Sequence, residues 1–275
     1  MEKKKCDKVI QYIKKEFLEQ IRSNGVWIAM ILIFIASVML LSEARGYPDE
    51  NATAAFLLNS FDMFIYIIPL IGMFLAAFSV YSEKENKTFQ MIITKRESFA
   101  SFFFKKSISL QIVLLSLFTM LFVLLYGLAS LTLTMEIDYF LLHLVTLLTL
   151  FLIFNQFGIL IGSLSSSKMQ MIGLIIFVWF FMIFLVDVIF LYFIPMINYN
   201  NVHIFSYFFF MHPFHVARMF LEYGMDIFST NNLSSLMNRL VILSPNAYMI
   251  INIIVWPILL LLLTMLFRND GEIND

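Results

Sequence analysis

The sequence predicts an all-α integral membrane protein with six transmembrane helices, and three observations support that fold class. Of the 275 residues, 61% are hydrophobic and 13% are charged, whereas soluble domains contain about 45–50% apolar residues. The chain holds six apolar runs close to the length of about 20 residues that a helix needs to cross a bilayer. The remainder is too short for a separate soluble catalytic domain, and it lacks the basic face expected of a nucleic-acid-binding protein.

Residues 7–23 are predicted to form an amphipathic interfacial helix before the first span. Ile10, Ile13, Phe17 and Ile21 recur at spacings of three and four residues, and the charged residues fall elsewhere on the helical wheel. Seven Lys and Arg precede the first apolar run, and no small-residue cleavage pattern follows it. We therefore expect this run to remain as a span and not to act as a cleaved signal peptide.

The six spans are separated by two long connections. The predicted spans cover residues 26–42, 63–81, 108–132, 139–162, 171–193 and 247–267. Residues 82–107 connect spans two and three, and residues 195–246 connect spans five and six. Within the second connection, residues 202–211 are too few to cross about 30 Å of hydrocarbon, so an interfacial and a re-entrant arrangement both remain open. Pro213 is expected to begin an interfacial helix over residues 214–226.

The distribution of basic residues predicts the orientation of the chain. Fifteen of the 18 Lys and Arg lie on one side of the predicted spans, and only Arg45, Arg218 and Arg239 lie on the other. Because cytoplasmic loops carry the excess of Lys and Arg, we expect a multi-pass protein of the cell membrane with both termini in the cytoplasm. Residues 82–107 would then be cytoplasmic, and residues 195–246 would lie outside.

Motifs for the common enzymatic chemistries do not occur in the sequence. It contains no G-x-x-x-x-G-K-[ST], H-E-x-x-H or G-x-S-x-G pattern, so we expect no enzymatic activity and no cofactor in this chain. Any ATP-driven work would need a partner. The single cysteine, Cys6, allows neither an intramolecular disulfide nor a thiol metal cluster.

Few polar residues lie inside the predicted spans. Asp187 in span five is the costliest to bury, and it is either a carboxylate on a substrate path, one that locks helices together, or a residue at the outer interface. Asn155 and Gln156 precede Gly158 and Gly162. This G-x-x-x-G pattern predicts close helix packing, with amides hydrogen-bonded between helices.

The histidines give a weaker signal. His212 and His215 are spaced i, i+3 with His203 nearby, and two imidazoles can share a metal ion if a third ligand joins them. Pro213 lies between the two and favours the start of a helix instead, so the sequence predicts no metal site. His143, alone in span four, is expected to be a partnered interior histidine.

The connection between spans two and three has an unusual composition. Residues 82–106 carry nine charges and two apolar patches. The patches are Phe89, Met91, Ile92 and Ile93, then Phe99, Phe102, Phe103 and Phe104. The pattern is typical of short helices that present an apolar face to a soluble partner, and it also fits an amphipathic loop resting on lipid headgroups.

This connection resembles the first cytoplasmic loop of ABC-2 type transporter permeases. The pattern of that loop is roughly E-x-E-x-G-T-L-E-L-L-L-x-x-P-x-S-R, followed after five or more residues by G-K. The matching positions are Glu83, Glu85, Thr88, Phe89, Met91, Ile92, Ile93, Ser98 and Lys106. Lys87, Arg96 and Phe99 depart from the pattern, because they replace its Gly, Pro and Arg.

Other parts of the chain carry the same resemblance. The helix that leads through Arg22 into span one resembles the family's elbow helix, and residues 157–187 are similar to its fourth and fifth spans. Trp179 and Asp187 look like the W and D of the subgroup that includes the permease of the nitrous-oxide reductase maturation system. Residues 212–218, H-P-F-H-V-A-R, resemble that subgroup's N-P-x-D-x-F-R but differ at both histidines and the alanine, so no ligand role is carried over.

The resemblance implies a permease that pairs with a second copy or a related permease, each bound to a cytoplasmic ABC ATPase that holds ATP and Mg. It implies export of an amphipathic or apolar substrate, or transmission of a conformational signal to an outer-side protein. The implied ATPase-coupling residues are Glu83, Glu85, Thr88, Phe89, Met91 and Ile92. The two glutamates would lie at the rim of a coupling helix, and its apolar residues would form the anchor.

Two other classes remain open. One is an intramembrane enzyme or accessory protein that uses Asp187 and His143. The other is an ion-driven secondary transporter, which predicts an internal repeat of the spans and several buried charges. Neither of those two features is evident in the sequence.

The orientation can be tested by cysteine labelling in a Cys6→Ser chain. Because the basic residues cluster on one side, we expect Asn51→Cys to react with a membrane-impermeant thiol reagent added to intact cells, and Ser101→Cys not to react. Permeabilised membranes give the control, since both positions are then accessible to the reagent. The reverse pattern in intact cells would overturn the predicted orientation.

Overall fold

The computed structural model describes residues 2–47, 49–86, 99–227 and 240–267. These residues form helices and connecting turns and include no strand. We number the helices in chain order. They are α1 (Glu2–Arg22), α2 (Asn24–Ala44), α3 (Asp49–Glu85), α4 (Phe99–Ser130), α5 (Ile137–Leu164), α6 (Lys168–Phe180), α7 (Val186–Phe193), α8 (Val202–Met211), α9 (Pro213–Gly224) and α10 (Pro245–Leu266).

Six helical segments of the described chain are long and apolar enough to cross a membrane, which confirms the predicted number of spans. They are Asn24–Ala44, Ala52–Glu85, Ala100–Ser130, Ile137–Leu164, Lys168–Met196 and Pro245–Leu266. The second and third spans extend well beyond the predicted limits of 63–81 and 108–132. Polar residues at these helix ends lower the local hydropathy, so the apolar run is shorter than the helix. The predicted connection 82–107 is shorter in consequence, because its ends belong to α3 and α4.

Helix α1 combines an exposed apolar side with a buried polar side. Ile10, Phe17 and Leu18 are exposed, whereas Glu16 and Gln20 are buried. The buried side packs against α4. An exposed apolar stripe on a helix that is too polar to span a membrane is typical of a helix lying along the bilayer surface.

The centre of the bundle is the contact between α3 and α5. Helix α5 is the most buried of the six described spans, and it packs along α3. A Cβ atom added to Gly162 would lie 2.7 Å from the carbonyl oxygen of Ala77, and one added to Gly158 would lie 2.8 Å from the Cβ of Ala76. The two backbones therefore approach at a distance that only glycine allows.

Span five differs from the others, because most of its surface is exposed. A π-helical turn, Phe181–Leu185, joins α6 to α7. Phe177, Leu191 and Tyr192 are each more than 60% exposed. This apolar face is available to lipid or to another membrane-spanning subunit, since nothing in the described part of the chain covers it. Turns of the π type occur often at functional sites.

Helices α8 and α9 form a hairpin whose turn inserts among the spans. Asn252 on α10 donates a hydrogen bond from Nδ2 to the carbonyl oxygen of Phe210 (3.1 Å), and the Nε1 of Trp256 donates one to that of Met211 (2.9 Å). These donors lie about 11 and 17 Å along α10 from Pro245. The hairpin, α8 to α9, is therefore re-entrant among the helices and not laid across their ends.

The predicted interfacial helix over residues 214–226 is instead a packed helix. Phe214 stacks on Phe154 of α5 with ring centroids 5.0 Å apart, and Val216, Ala217 and Leu221 are fully buried. The expectation that its apolar residues lie on the membrane is wrong, because α5 and α10 cover them.

The glycine contact between α3 and α5 predicts a selective loss of stability. We expect Gly158→Ala and Gly162→Ala each to destabilise the protein by about 1–3 kcal/mol through overpacking. Gly173→Ala on α6 is the matched control, because nothing lies within 4 Å of its added Cβ. Thermal unfolding of the purified chain in detergent measures the effect. Equal midpoints for all three variants would contradict the close approach.

Candidate functional sites

Four charged side chains join three helices at the end of the bundle that is predicted to be cytoplasmic. We call Lys15 and Glu16 on α1, Glu83 on α3 and Lys106 on α4 the α1 ion-pair network. The Nζ of Lys106 donates a hydrogen bond to Glu16 and lies 3.3 Å from Oε1 of Glu83. The Nζ of Lys15 donates to the same Glu83 oxygen at 2.6 Å. The side chains of Glu16 and Lys106 are both fully buried.

In this network, burial and ion pairing shift the pKa values of the charged groups in opposite directions. Burial raises the pKa of Glu16, and the charge and hydrogen bond of Lys106 offset that effect only in part. Burial acts to lower the pKa of Lys15, but the hydrogen bond and charge of Glu83 outweigh it and raise that pKa. A buried charge is tolerated when it is paired, so each member of the network depends on the others.

Oxygens of Glu16, Glu19 and Glu83 lie within 4.8 Å of one another, a spacing that could hold a cation. The ammonium groups of Lys15 and Lys106 already satisfy this position. Oε2 of Glu83 is a buried acceptor without a partner among the described residues. The carboxylates therefore bind the chain's own lysines, and their arrangement is that of a structural junction.

The structure changes the interpretation of the residues assigned to ATPase coupling. Glu83 is buried in the α1 ion-pair network and does not lie at an exposed rim. Glu85 is exposed and pairs with Lys168 of α6 at 3.0 Å. Of the second apolar patch, Phe102 and Phe103 are buried in the first turns of α4. The other assigned positions, Thr88, Phe89, Met91 and Ile92, lie outside the described residues.

A set of amides connects α4 to α5. Nδ2 of Asn155 donates to Oε1 of Gln111 at 2.9 Å, and the hydroxyl of Ser107 donates to Oε1 of Gln156 at 2.7 Å. Gln111 also donates to the carbonyl oxygen of Leu152. Asn155 and Gln156 thus contact α4, while the glycines that follow them contact α3. This one segment of α5 therefore packs against both α3 and α4.

A second polar group lies where the hairpin meets span five. We call Asp187 of α7, His212 at the turn of the hairpin and His215 of α9 the hairpin cluster. Nε2 of His215 lies 3.3 Å from Oδ1 of Asp187, and the two imidazole centroids are 4.7 Å apart. A ligand atom from each residue lies within 4.8 Å of the others. The sequence separated Asp187 from the histidines, and the fold brings them together.

The environment of the hairpin cluster keeps both imidazoles neutral. Burial and the neighbouring His215 together lower the pKa of His212 to about 3, against an opposing effect of the Met182 carbonyl. Burial and the charge of Arg218 lower the pKa of His215 to about 4. Neither ring nitrogen of His212 has a hydrogen bond of normal geometry within the described chain. A neutral imidazole with an unpaired nitrogen is available as a ligand.

Arg218 connects the cluster to span two. Its guanidinium lies 3.5 Å from Oδ1 of Asp62 on α3 and donates to Glu222 at 2.9 Å. Exposed pairs of this kind contribute little stability. Their effect here is to neutralise Arg218, the cation that acts on the hairpin cluster within the described residues.

An apolar cavity of about 640 Å³ lies beside the hairpin cluster. Its walls come from span five, from α8 and from α10, and His212 and Asn201 are the polar residues that line it. Its volume and lining suit an acyl chain or a similar apolar group. His143, the other histidine considered for chemistry, lines a separate small cavity with Ser37 and Ser60, so the structure does not join it to Asp187.

The α1 ion-pair network predicts a large difference between a buried and an exposed lysine. We expect Lys106→Met to destabilise the protein by about 3–5 kcal/mol, because it leaves the buried carboxylate of Glu16 without its paired cation. Lys168→Met is the control, since it removes an exposed pair with an expected cost of about 0–1 kcal/mol. Adding Glu16→Gln to Lys106→Met is expected to restore part of the loss. Thermal unfolding in detergent measures all three, and equal losses from the two lysine variants would argue against the network.

The chain matches no protein-family model and no curated protein. A function is therefore inferred from the six spans, the two polar sites and the sequence motifs.

Proposed function

We propose that the chain is the membrane-spanning permease subunit of an ATP-driven exporter of the ABC-2 type, in which a separate cytoplasmic subunit hydrolyses ATP. One observation supports this most strongly. The α1 ion-pair network joins α1 to the ends of α3 and α4, which are the helices on either side of residues 87–98. Those residues belong to the segment whose sequence resembles a coupling helix.

The network gives a mechanical reason for that connection. Glu83 is the third residue from the end of α3, and Lys106 lies in the second turn of α4. A displacement of the segment between them is resisted by paired charges that would have to separate inside a buried site. The two helix ends and α1 therefore move together when a partner pushes on the connecting segment.

Movement of those ends is carried into the bundle by packing. Helix α3 continues for 37 residues, about 55 Å, and the glycine contact fixes it against α5. An ATPase shifts this assembly only if it contacts two conformations with different affinity. In this proposal the helices of the chain transmit the displacement as rigid bodies. Nucleotide binding in the partner supplies the difference in free energy between the two conformations.

The exposed face of span five supports pairing with a second permease and an apolar cargo. Leu191 and Tyr192 continue an apolar surface along α7, and the 640 Å³ cavity opens beside it. A second copy seated there would enclose the cavity between two chains. An amphipathic molecule with an acyl chain fits such a space better than an ion does.

This assignment places both termini in the cytoplasm of a plasma-membrane protein. The orientation follows from the bias of Lys and Arg. The α1 ion-pair network would then lie at the cytoplasmic end, next to the ATPase, and the hairpin would enter from the outer side. ATP and Mg would be held by the partner subunit.

The coupling assignment predicts a separable loss of partner binding. We expect Phe89→Ala combined with Met91→Ala to weaken association with the ATPase, because it removes the apolar anchor, while membrane insertion is unchanged. Tyr47→Ala is the control, since Tyr47 is exposed at the opposite end of the bundle. Co-purification with the ATPase subunit co-expressed with this chain, and its ATPase rate, are the measurements.

Unchanged co-purification of the double variant would contradict the coupling helix. A purified complex that contains no nucleotide-hydrolysing protein would contradict the proposed function as a whole. The second result would favour the accessory-protein class.

A further inference from the structure

We propose that Asp187, His212 and His215 bind a divalent transition-metal ion, with Zn²⁺ as the best fit, and that this ion fastens the re-entrant hairpin to span five. No third ligand for the two histidines can be identified from the sequence. The structure supplies it from α7 at the turn of the hairpin, where Asp187 is exposed, His212 is buried and His215 is partly buried.

The distances are close to those of a zinc site. Two ligands bound 2.0–2.1 Å from a tetrahedral Zn²⁺ lie about 3.3–3.4 Å apart. The pair of His215 Nε2 and Asp187 Oδ1 already has that separation, at 3.3 Å. The remaining separations are no longer than 4.8 Å, which rotation of the His212 ring and the Asp187 carboxylate can reduce.

The side chains are held in the orientation that a ligand needs. The His215 ring stacks on Phe209 of α8 with centroids 4.1 Å apart and an interplanar angle of 8°. His212 is only 6% exposed, and apart from a contact with the Met182 carbonyl its ring nitrogens have no hydrogen-bond partner within the described residues. A buried polar group in a native fold usually has a hydrogen-bond partner. The unpaired nitrogen of this imidazole is therefore either an unsatisfied polar atom or a metal ligand.

The donor set selects the class of metal. Two imidazoles and one carboxylate suit Zn²⁺ and its neighbours in the transition series, whereas Mg²⁺ and Ca²⁺ prefer oxygen ligands alone. Three protein ligands leave one position of a tetrahedral site open. His212 also lines the apolar cavity, so a fourth ligand can enter from that side.

The local charge is compatible with a dication. Asp187 contributes one negative charge to the site. Arg218 is the nearby cation, and Asp62 and Glu222 already pair with it. The bound ion would therefore meet a net attractive field, with its main repulsive neighbour neutralised.

A bound metal ion would connect two parts of the chain that otherwise meet mostly through apolar contacts. Asp187 follows the π-helical turn of span five, and His212 is the residue between α8 and α9. A metal ion bridging them would fix the hairpin against the span that carries the exposed face. This inference stands on geometry alone and does not depend on the proposed ATPase partner.

The test uses the full chain purified in detergent with an affinity tag that contains no histidine. Zn²⁺ is the only metal added, and bound zinc is measured by mass spectrometry after dialysis. We expect about one zinc per chain for the single site. We expect His212→Ala and His215→Ala each to lower the affinity at least tenfold, since loss of a supporting group alone costs about 10–100-fold. His203→Ala, an exposed histidine on the same hairpin, is the matched control and should retain zinc.

Two further measurements keep the test decisive if a variant folds poorly. Co²⁺ bound to the unmodified chain should give the visible absorption of a tetrahedral site, and Zn²⁺ should raise the unfolding temperature of the unmodified chain but not that of Asp187→Asn. Zinc content that is equal in the His212, His215 and His203 variants would overturn the proposal. So would an unmodified chain that retains no zinc, because the 3.3 Å contact between His215 and Asp187 would then have no role in metal binding.

Discussion

The buried contact between Glu16 and Lys106 is the interaction on which the rest of the architecture depends. Both side chains are fully buried, and either charge alone would carry a desolvation cost of several kcal/mol. The fold tolerates the two buried charges only as a pair, so α1 and α4 can pack only in the register that brings Glu16 and Lys106 together. Glu83 extends the same constraint to α3. A surface helix and two spans are thereby held as one unit at the end of the bundle where a driving partner would act.

Much of the fold could be predicted from the sequence, but this contact could not. Apolar runs identify the six spans because hydropathy is a local property, and the glycine spacing on α5 predicts close packing for the same reason. Hydropathy also assigns every lysine to water, which is why Lys106 was placed in a loop. Its partner Glu16 lies 90 residues away in the sequence, and no periodicity joins such positions. The sequence therefore places Glu83 and Lys106 in one cytoplasmic connection but does not show that they meet Glu16 in a buried site.

The hairpin shows a similar division between local and distant information. Ten apolar residues fit an interfacial or a re-entrant helix equally well, and Pro213 correctly marked the start of α9. Asn252 and Trp256 decide between the interfacial and the re-entrant arrangement, because they donate hydrogen bonds to backbone carbonyls at the turn of the hairpin. The histidines follow the same logic. Their i, i+3 spacing is visible in the sequence, whereas the carboxylate that completes the hairpin cluster comes from another span.

The packing indicates how motion could pass from one part of the chain to another. Helix α9 presents one side, with Phe214, Ala217 and Leu221, to the main apolar core, and another, with Val216 and Met219, to a smaller core shared with α10. It is thus packed on both cores, and the hairpin to which it belongs also lines the cavity through α8 and His212. Packed contact alone does not constitute coupling, which requires an element with two discrete arrangements. The hairpin is the best placed to be that element, because a rearrangement there would alter both cores and the cavity at once.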